Sequence, residues 1–227
     1  MTTSSEAAGT PAVRTVLVTG FEPFGGETEN PSRQIALELA GRSVLGRTIV
    51  SEVLPCVFGK STRALRTAIR KHAPELVICL GQAGGRAGLT LERVAINLDD
   101  APLPDNAGVR PIDQPILKSG PAAYWSTLPV KGMARAMAMA GIEASVSHSA
   151  GTYVCNHVFY GLMQSLKRRP ATRGGFIHVP FLPEQSLRQG RSAPFMLLPQ
   201  MVRGIEVAIE TALSLAEDAS IAGGATH

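Results

Sequence analysis

Residues 14–42 read RTVLVTGFEPFGGETENPSRQIALELAGR. The opening RTVLVTG is a short β-branched, apolar run ended by a glycine, which is the pattern of a buried strand. The loop FEPFGGETEN follows, and Asn30 and Pro31 then supply an N-cap and a first-turn proline for a helix over SRQIALELAGR. The strand–loop–helix unit recurs along the chain. RTIVSEVLP (47–55) reads as a strand, residues near Ser61–Lys71 as a helix, and ELVICLG (75–81) as a strand ended by the glycine-rich GQAGGRAG. LTLERVAIN (89–97) has the composition of another strand. Beyond a Pro/Asp/Gly-rich stretch come the helix VKGMARAMAMAG (130–141), the strand IEASVSHS (142–149), a helix starting near Cys155, the strand GGFIHVPFLP (174–183) and a long helix around Met196–Leu215. Such alternation predicts an α/β fold: a single-domain, doubly wound, mostly parallel twisted sheet with helices on both faces. Residues 98–129 should form a long ordered loop with at most short strands. The expected boundaries are a disordered tail at 1–12, one domain at 13–216 and a frayed end at 217–227.

A chain of 227 residues with 44% hydrophobic composition can build one full core. The net charge of +4 reads as thinly spread, its two clusters, Arg70–His72 and Lys167–Arg169, falling near expected helix C-termini where cations complement the dipole. Nucleic acid is therefore not an expected partner. The N-terminal MTTSSEAAGTPAV lacks the pattern of a leader, and no apolar run is long enough to cross a bilayer, so the reading is cytoplasmic with no membrane partner. Three widely spaced cysteines, Cys56, Cys79 and Cys155, fit neither a disulfide framework nor a zinc site. No cofactor or metal is expected.

Functional residues of open α/β sheets collect where strands end. In SAGTYVCNHVFYGL (149–162), Cys155 sits just inside a helix after a small-residue turn. A cysteine on such a face is commonly a small core hydrophobe. A helix N-terminus, however, lowers a thiol's pKa, and its N–H groups can receive an oxyanion. Cys56 and Cys79 have apolar neighbours and read as core. Of five histidines, His178, at the end of an apolar strand, is best placed as the base, with His148 in reserve. His72 and His227 lie at ends of elements or of the chain, and His157 faces away from Cys155 on the same helix. Glu92 would orient the imidazole; the competing reading pairs it with Arg86 or Arg93 at the surface. GQAGGRAG is a poor phosphate loop and more plausibly a close backbone approach to a ligand, with Gln82 and Arg86 as hydrogen-bonding groups. Phe21 and Phe24 either plug the core edge or wall a small pocket.

The motifs VLVTGFEPFGGETENPS, GQAGGR, LERVAINLDDAPLPDNAG, SAGTYVCNHVFYGL and GGFIHVPFLPEQ, in this order from about Val13 to Leu215, closely resemble those of the pyroglutamyl peptidase I, or pyrrolidone carboxyl peptidase, family. The resemblance implies a cytosolic cysteine exopeptidase that acts on pyroglutamyl peptides, with a doubly wound fold and, in many bacterial members, a homotetramer. It implies a triad of Glu92, Cys155 and His178 and a pyroglutamate pocket of Phe21, Phe24, Asn30, Gln82 and Tyr153. One departure stands out: Pro102, in DAPLPDN, occupies the place of an arginine found in many relatives, and Arg86 or Arg110 is the candidate substitute. A nucleoside phosphorylase on a similar scaffold and a catalytically inactive binding module are the alternatives.

Overall fold

The computed structural model describes residues 14–188 and 193–224, so the tail expected at 1–12 lies outside the described residues. The strands are β1 (Thr15–Phe21), β2 (Ser43–Val44), β3 (Arg47–Leu54), β4 (Leu76–Gln82), β5 (Leu89–Glu92), β6 (Val94–Ile96), β7 (Ala123–Trp125), β8 (Ala144–Ser147) and β9 (Arg173–Val179). The helices are α1 (Pro31–Leu39), α2 (Lys60–His72), α3 (Val130–Met139), α4 (Val154–Leu166), α5 (Pro183–Arg188) and α6 (Leu198–Ser214). Seven strands form one sheet in the order β2-β3-β1-β4-β9-β5-β8. Neighbours β3, β1, β4 and β9 run parallel, whereas β5 and β8, parallel to each other, run against β9. The sheet is thus mixed, and this reversal matters for the site.

Helices α2 and α4 cover one face, packing Leu65, Ile69, Val158, Phe159 and Leu162 onto Val77, Cys79 and Phe176. On the other face α1, α3 and α6 bury Ile35, Leu39, Met133, Ile205 and Ile209 against Val16, Val18, Ile78 and Ile177. Each such fully buried side chain contributes about 1.5–3 kcal/mol. α1 begins as its sequence predicts: Asn30 is extended, its Oδ1 accepts the Ser32 N–H at 3.0 Å, and Pro31 occupies the first turn.

One expectation is corrected. LTLERVAIN is not one strand, because the position beside β9 past Glu92 is taken by Thr127, whose N–H and hydroxyl both bond the Gly174 carbonyl. The chain turns away at Arg93, and β6 pairs with β7 in a separate two-stranded sheet. Within the segment expected to fray, described as far as residue 224, the Asp218 carboxylate accepts the Lys131 and Gly132 N–H groups at 3.0 and 2.9 Å, capping α3. α3 has no cap of its own, since the preceding Pro129 carries no acceptor side chain.

Candidate active site

Register brings the site together. Gly81 pairs with His178 across β4 and β9, so the two positions face the same side of the sheet, toward α4. Cys155 Sγ lies directly over Gly81: a Cβ built there would sit 2.7 Å from the sulfur and 2.7 Å from the Phe176 ring. Only a residue without a side chain allows the helix to seat its sulfur at that place on the sheet.

Glu92 reaches the same face by a different route. β5 is antiparallel to β9, with Glu92 opposite Phe176 and Thr90 opposite His178, so Glu92 and His178 are diagonal neighbours. Their contact is Nδ1 to Oε1 at 2.7 Å, with the imidazole 4% and the carboxylate 0% exposed. An ionised carboxylate only accepts, so Nδ1 carries the hydrogen and Nε2 is left free to take a proton. The same Oε1 also accepts Arg86 Nη1 at 2.6 Å. Arg86 further donates to the Thr90 hydroxyl and, at 3.4 Å, to the Ser149 carbonyl in the turn before α4. The expected Arg86 pair therefore exists, but around a buried carboxylate rather than at the surface. Glu92 Oε2 is buried and has no hydrogen-bond partner among the described residues.

The electrostatics follow from this burial. Desolvation alone would raise the Glu92 pKa; the hydrogen bond and charge of His178, with Ser147 and Arg86 helping, outweigh it and hold the group below the usual carboxylate range. For His178 burial is the largest influence and lowers its pKa, Arg86 adding to the effect while Glu92 opposes it. Cys155 departs from expectation. It is the second residue of α4 and only 9% exposed, and burial pushes its thiol well above the ordinary value, with the Cys56 and Glu92 sides adding to the rise and Arg86 opposing it. Among the described residues no hydrogen bond joins Sγ to the imidazole. The thiols of Cys56 and Cys79 are likewise pushed up to about 12 by burial, as core cysteines should be.

Tyr153 precedes α4 in extended conformation and provides no side-chain cap, so the first-turn N–H groups around Cys155 have no capping side chain among the described residues. Gly151, at φ 77°, shapes the turn, and Thr152 ties it to Asp100 by two bonds, its hydroxyl to the Asp100 carbonyl at 2.6 Å and its own carbonyl to the Asp100 N–H at 3.0 Å.

The residues expected to form a pocket lie at the end of β1 and in the loop after it, at the end of β4 and just before α4. Phe21 is the last residue of β1, 2% exposed and packed 6.4 Å from Phe176, which makes it core. Phe24 is half-buried and stacks 5.9 Å from Tyr153, whose hydroxyl donates to the Pro104 carbonyl at 3.1 Å. Asn30 is buried and committed to the loop: beyond its cap, Nδ2 donates to the Glu22 carbonyl at 3.1 Å. Gln82 ends β4, where its Oε1 accepts Gln185 Nε2 at 2.9 Å.

Three contributors were not read from sequence. Gln185, fully buried in α5, holds Gln82; Phe58 stands edge-on to Tyr153 at 5.6 Å; and His157 bonds Asp99 through Nδ1 at 2.8 Å while its Nε2 accepts the Gly59 N–H at 3.1 Å. The glutamine two residues after FLP was the one available signal, since an amide there can bond back to the strand end; the others depend on elements far apart in the chain. At Pro102, Arg110 comes close, its Nε donating to the neighbouring Ala101 carbonyl at 3.0 Å.

Comparison with known proteins bears on this arrangement. A family model described as pyroglutamyl peptidase matches residues 14–215. The pyrrolidone-carboxylate peptidase of Erwinia tasmaniensis is 52% identical over 215 residues, covering 95% of this chain and 100% of the relative. That of Bacillus cytotoxicus is 50% identical over 216 residues with the same coverage. Among solved structures, pyroglutamyl peptidase I from Bacillus amyloliquefaciens superposes with a TM-score of 0.88 at 49% identity, covering 91% of this chain and 100% of that one. The pyrrolidone carboxyl peptidase from Thermococcus litoralis gives 0.89 at 36% identity, covering 92% and 100%.

Proposed function

The chain belongs to the pyroglutamyl peptidase family and is a cysteine peptidase acting on pyroglutamyl peptides, and we propose that Cys155, His178 and Glu92 carry out the hydrolysis. The single observation that supports this division of roles is the Glu92–His178 bond, buried on the face of the sheet where the Cys155 sulfur sits over Gly81.

In this mechanism the neutral thiol transfers its proton to His178 Nε2 as the sulfur attacks the carbonyl carbon of the pyroglutamyl residue. The oxyanion is received by the uncapped N–H groups at the start of α4. Collapse breaks the C–N bond, and the imidazolium gives its proton to the departing amine. A water molecule, deprotonated by His178, then cleaves the thioester, releasing pyroglutamate and restoring the thiol. Glu92 keeps the proton of the resting imidazole on Nδ1 and stabilises the imidazolium. Because burial disfavours a resting thiolate, the sulfur is activated during attack rather than before it.

For the substrate, Phe24 and Tyr153 wall the flat ring, Phe21 supports them from the core, and Asn30 holds the loop that carries Phe24. Gln185 engages Oε1 of Gln82, which leaves the Gln82 NH2 group for the lactam carbonyl. Arg110, beside Pro102, takes over the position of the missing arginine. The relatives lend no support to a nucleoside phosphorylase or an inactive module. We place the protein in the cytoplasm, which suits three free, buried cysteines, and among the described residues no helix is long and apolar enough to cross a membrane. We further assign it a homotetrameric state, consistent with exposed Trp125, Ile112 and Phe195.

The direct test is release of the chromophore from a pyroglutamyl amide. Cys155→Ser should abolish turnover with the fold intact, while Cys56→Ser and Cys79→Ser should change stability at most. Wild-type turnover in Cys155→Ser would overturn the assignment.

A further inference from the structure

We propose that a recess between the C-terminal halves of α2 and α4 is a binding site for an oligophosphate, a run of linked phosphates either free or carried by a nucleotide. The two basic clusters that look like separate helix ends in sequence meet here. Arg66 and Arg70 come from α2, Arg168 and Arg169 from just beyond α4, and together with Gln164 and Ser165 they surround a cavity of about 520 Å³. Among the described residues none of these four guanidiniums pairs with a carboxylate, whereas Arg42, Arg47, Arg86, Arg188 and Arg203 all do.

The other cations of the same clusters are disposed of differently. Lys71 and His72 both reach Glu52, at 3.0 and 3.2 Å, and Lys167 lies over the Tyr124 ring at 4.9 Å. What sets the recess apart is that four arginines without a carboxylate partner among the described residues are gathered around one cavity. Arg66 is also oriented: Nη2 donates to Gln164 Oε1 at 2.8 Å and Nε to Ser165 Oγ at 3.3 Å. Both acceptors are neutral, so they aim the guanidinium without discharging it.

Helix dipoles explain part of the cluster, since Arg70 lies in the last turn of α2. They do not explain Arg66, which lies more than a turn before that end and beyond the reach of the terminal charge. Four like charges around one cavity repel one another. A ligand with three or four closely spaced negative charges removes that repulsion and gains charge-assisted, often bidentate hydrogen bonds. Concavity favours a compact ligand over a nucleic-acid strand, and the lining contains no aromatic ring on which bases would stack. From Cys155 to Arg168 along α4 is about 20 Å, so the recess is separate from the peptidase chemistry and its assignment is independent of that reading.

The test is calorimetric titration of the full chain with sodium tripolyphosphate, ATP, inorganic phosphate and a single-stranded oligonucleotide. Tripolyphosphate should bind one per chain, far more tightly than phosphate and with a steep loss on adding salt. Arg168→Gln/Arg169→Gln should weaken it at least tenfold; neither side chain makes a hydrogen bond among the described residues, so the fold should survive, as unchanged thermal melting would verify. The charge-matched pair Arg33→Gln/Arg135→Gln, exposed elsewhere, should weaken it less than twofold. Equal affinity for ATP and tripolyphosphate identifies a free phosphate chain as the ligand, and a clear preference for ATP identifies a nucleotide. No binding of tripolyphosphate, equal loss in both double variants, or tighter multi-site binding of the oligonucleotide overturns the proposal.

Discussion

Gly81→Ala tests whether the sulfur's position, rather than its mere presence, sets the rate. An added Cβ would stand 2.7 Å from Cys155 Sγ and 2.7 and 2.9 Å from two carbons of Phe176. Ordinary contact begins near 3.5 Å, so sulfur or ring must withdraw by about 0.8 Å. The backbone at Gly81 is held on one side by its pairing with His178 on β9, whereas the pairing of β4 with β1 ends at Cys79. Phe176 in turn packs against His178 with ring centroids 4.9 Å apart, so a displaced ring also disturbs the imidazole. Overpacking of this kind costs about 1–3 kcal/mol of stability, and a shift near 1 Å at a reacting atom costs about a hundredfold in rate. The assay is kcat/KM on a chromogenic pyroglutamyl amide beside the thermal midpoint. Gly161→Ala is the control: it lies on α4 well below the sulfur, where a Cβ would collide with Thr62. It should lower the midpoint while keeping kcat/KM within about threefold, since nothing reactive moves. If Gly81→Ala retains kcat/KM within twofold of wild type, or falls only as far as the control does, the packing argument is wrong.

Arg86→Met should reduce kcat by about tenfold or more with little change in KM, because it frees Glu92 without touching the ring pocket. Since the Arg86 charge lowers the pKa of both Glu92 and His178, its loss should also move the acid limb of the pH–rate profile upward, and Arg86→Lys should restore part of both; an unmoved limb counts against the role. Stability should fall on acidification in two stages. Below about 6.5 the unfolded His178 takes up a proton that the buried one resists, and below about 4.5 the unfolded Glu92 does so while the folded one stays ionised. A urea midpoint that is flat or rises from pH 7.5 to 4 contradicts this. Finally, pyroglutamyl amides should be cleaved at least tenfold better than matched prolyl amides, which lack the lactam carbonyl, and glutaminyl amides should be rejected because their α-ammonium would be buried unpaired. Comparable kcat/KM for all three means the pocket has been misread.

By itself the sequence determined the α/β class, most element positions and the N-cap at Asn30, and it singled out Glu92, Cys155 and His178 as the candidate trio that the proposed mechanism uses. All of these rest on local signals, such as β-branched runs, glycines at strand ends and caps, together with a motif order that resembles one family. What it did not contain was anything set by elements distant along the chain. The antiparallel run of β5 sinks Glu92 beneath the rim and makes it a buried diagonal partner of His178, where alternation along LTLERVAIN predicted a continuous strand. Burial between helix and sheet pushes the Cys155 thiol up, opposite in direction to the lowering expected from a helix terminus, because a thiolate there loses its solvation. Asp218 caps a helix more than eighty residues earlier, and two arginine clusters a hundred residues apart converge on one recess. Local periodicity is a property of neighbouring residues and survives in the string of letters; burial, pairing register and the sum of charges at a point depend on which surfaces meet, and only the packed chain decides that.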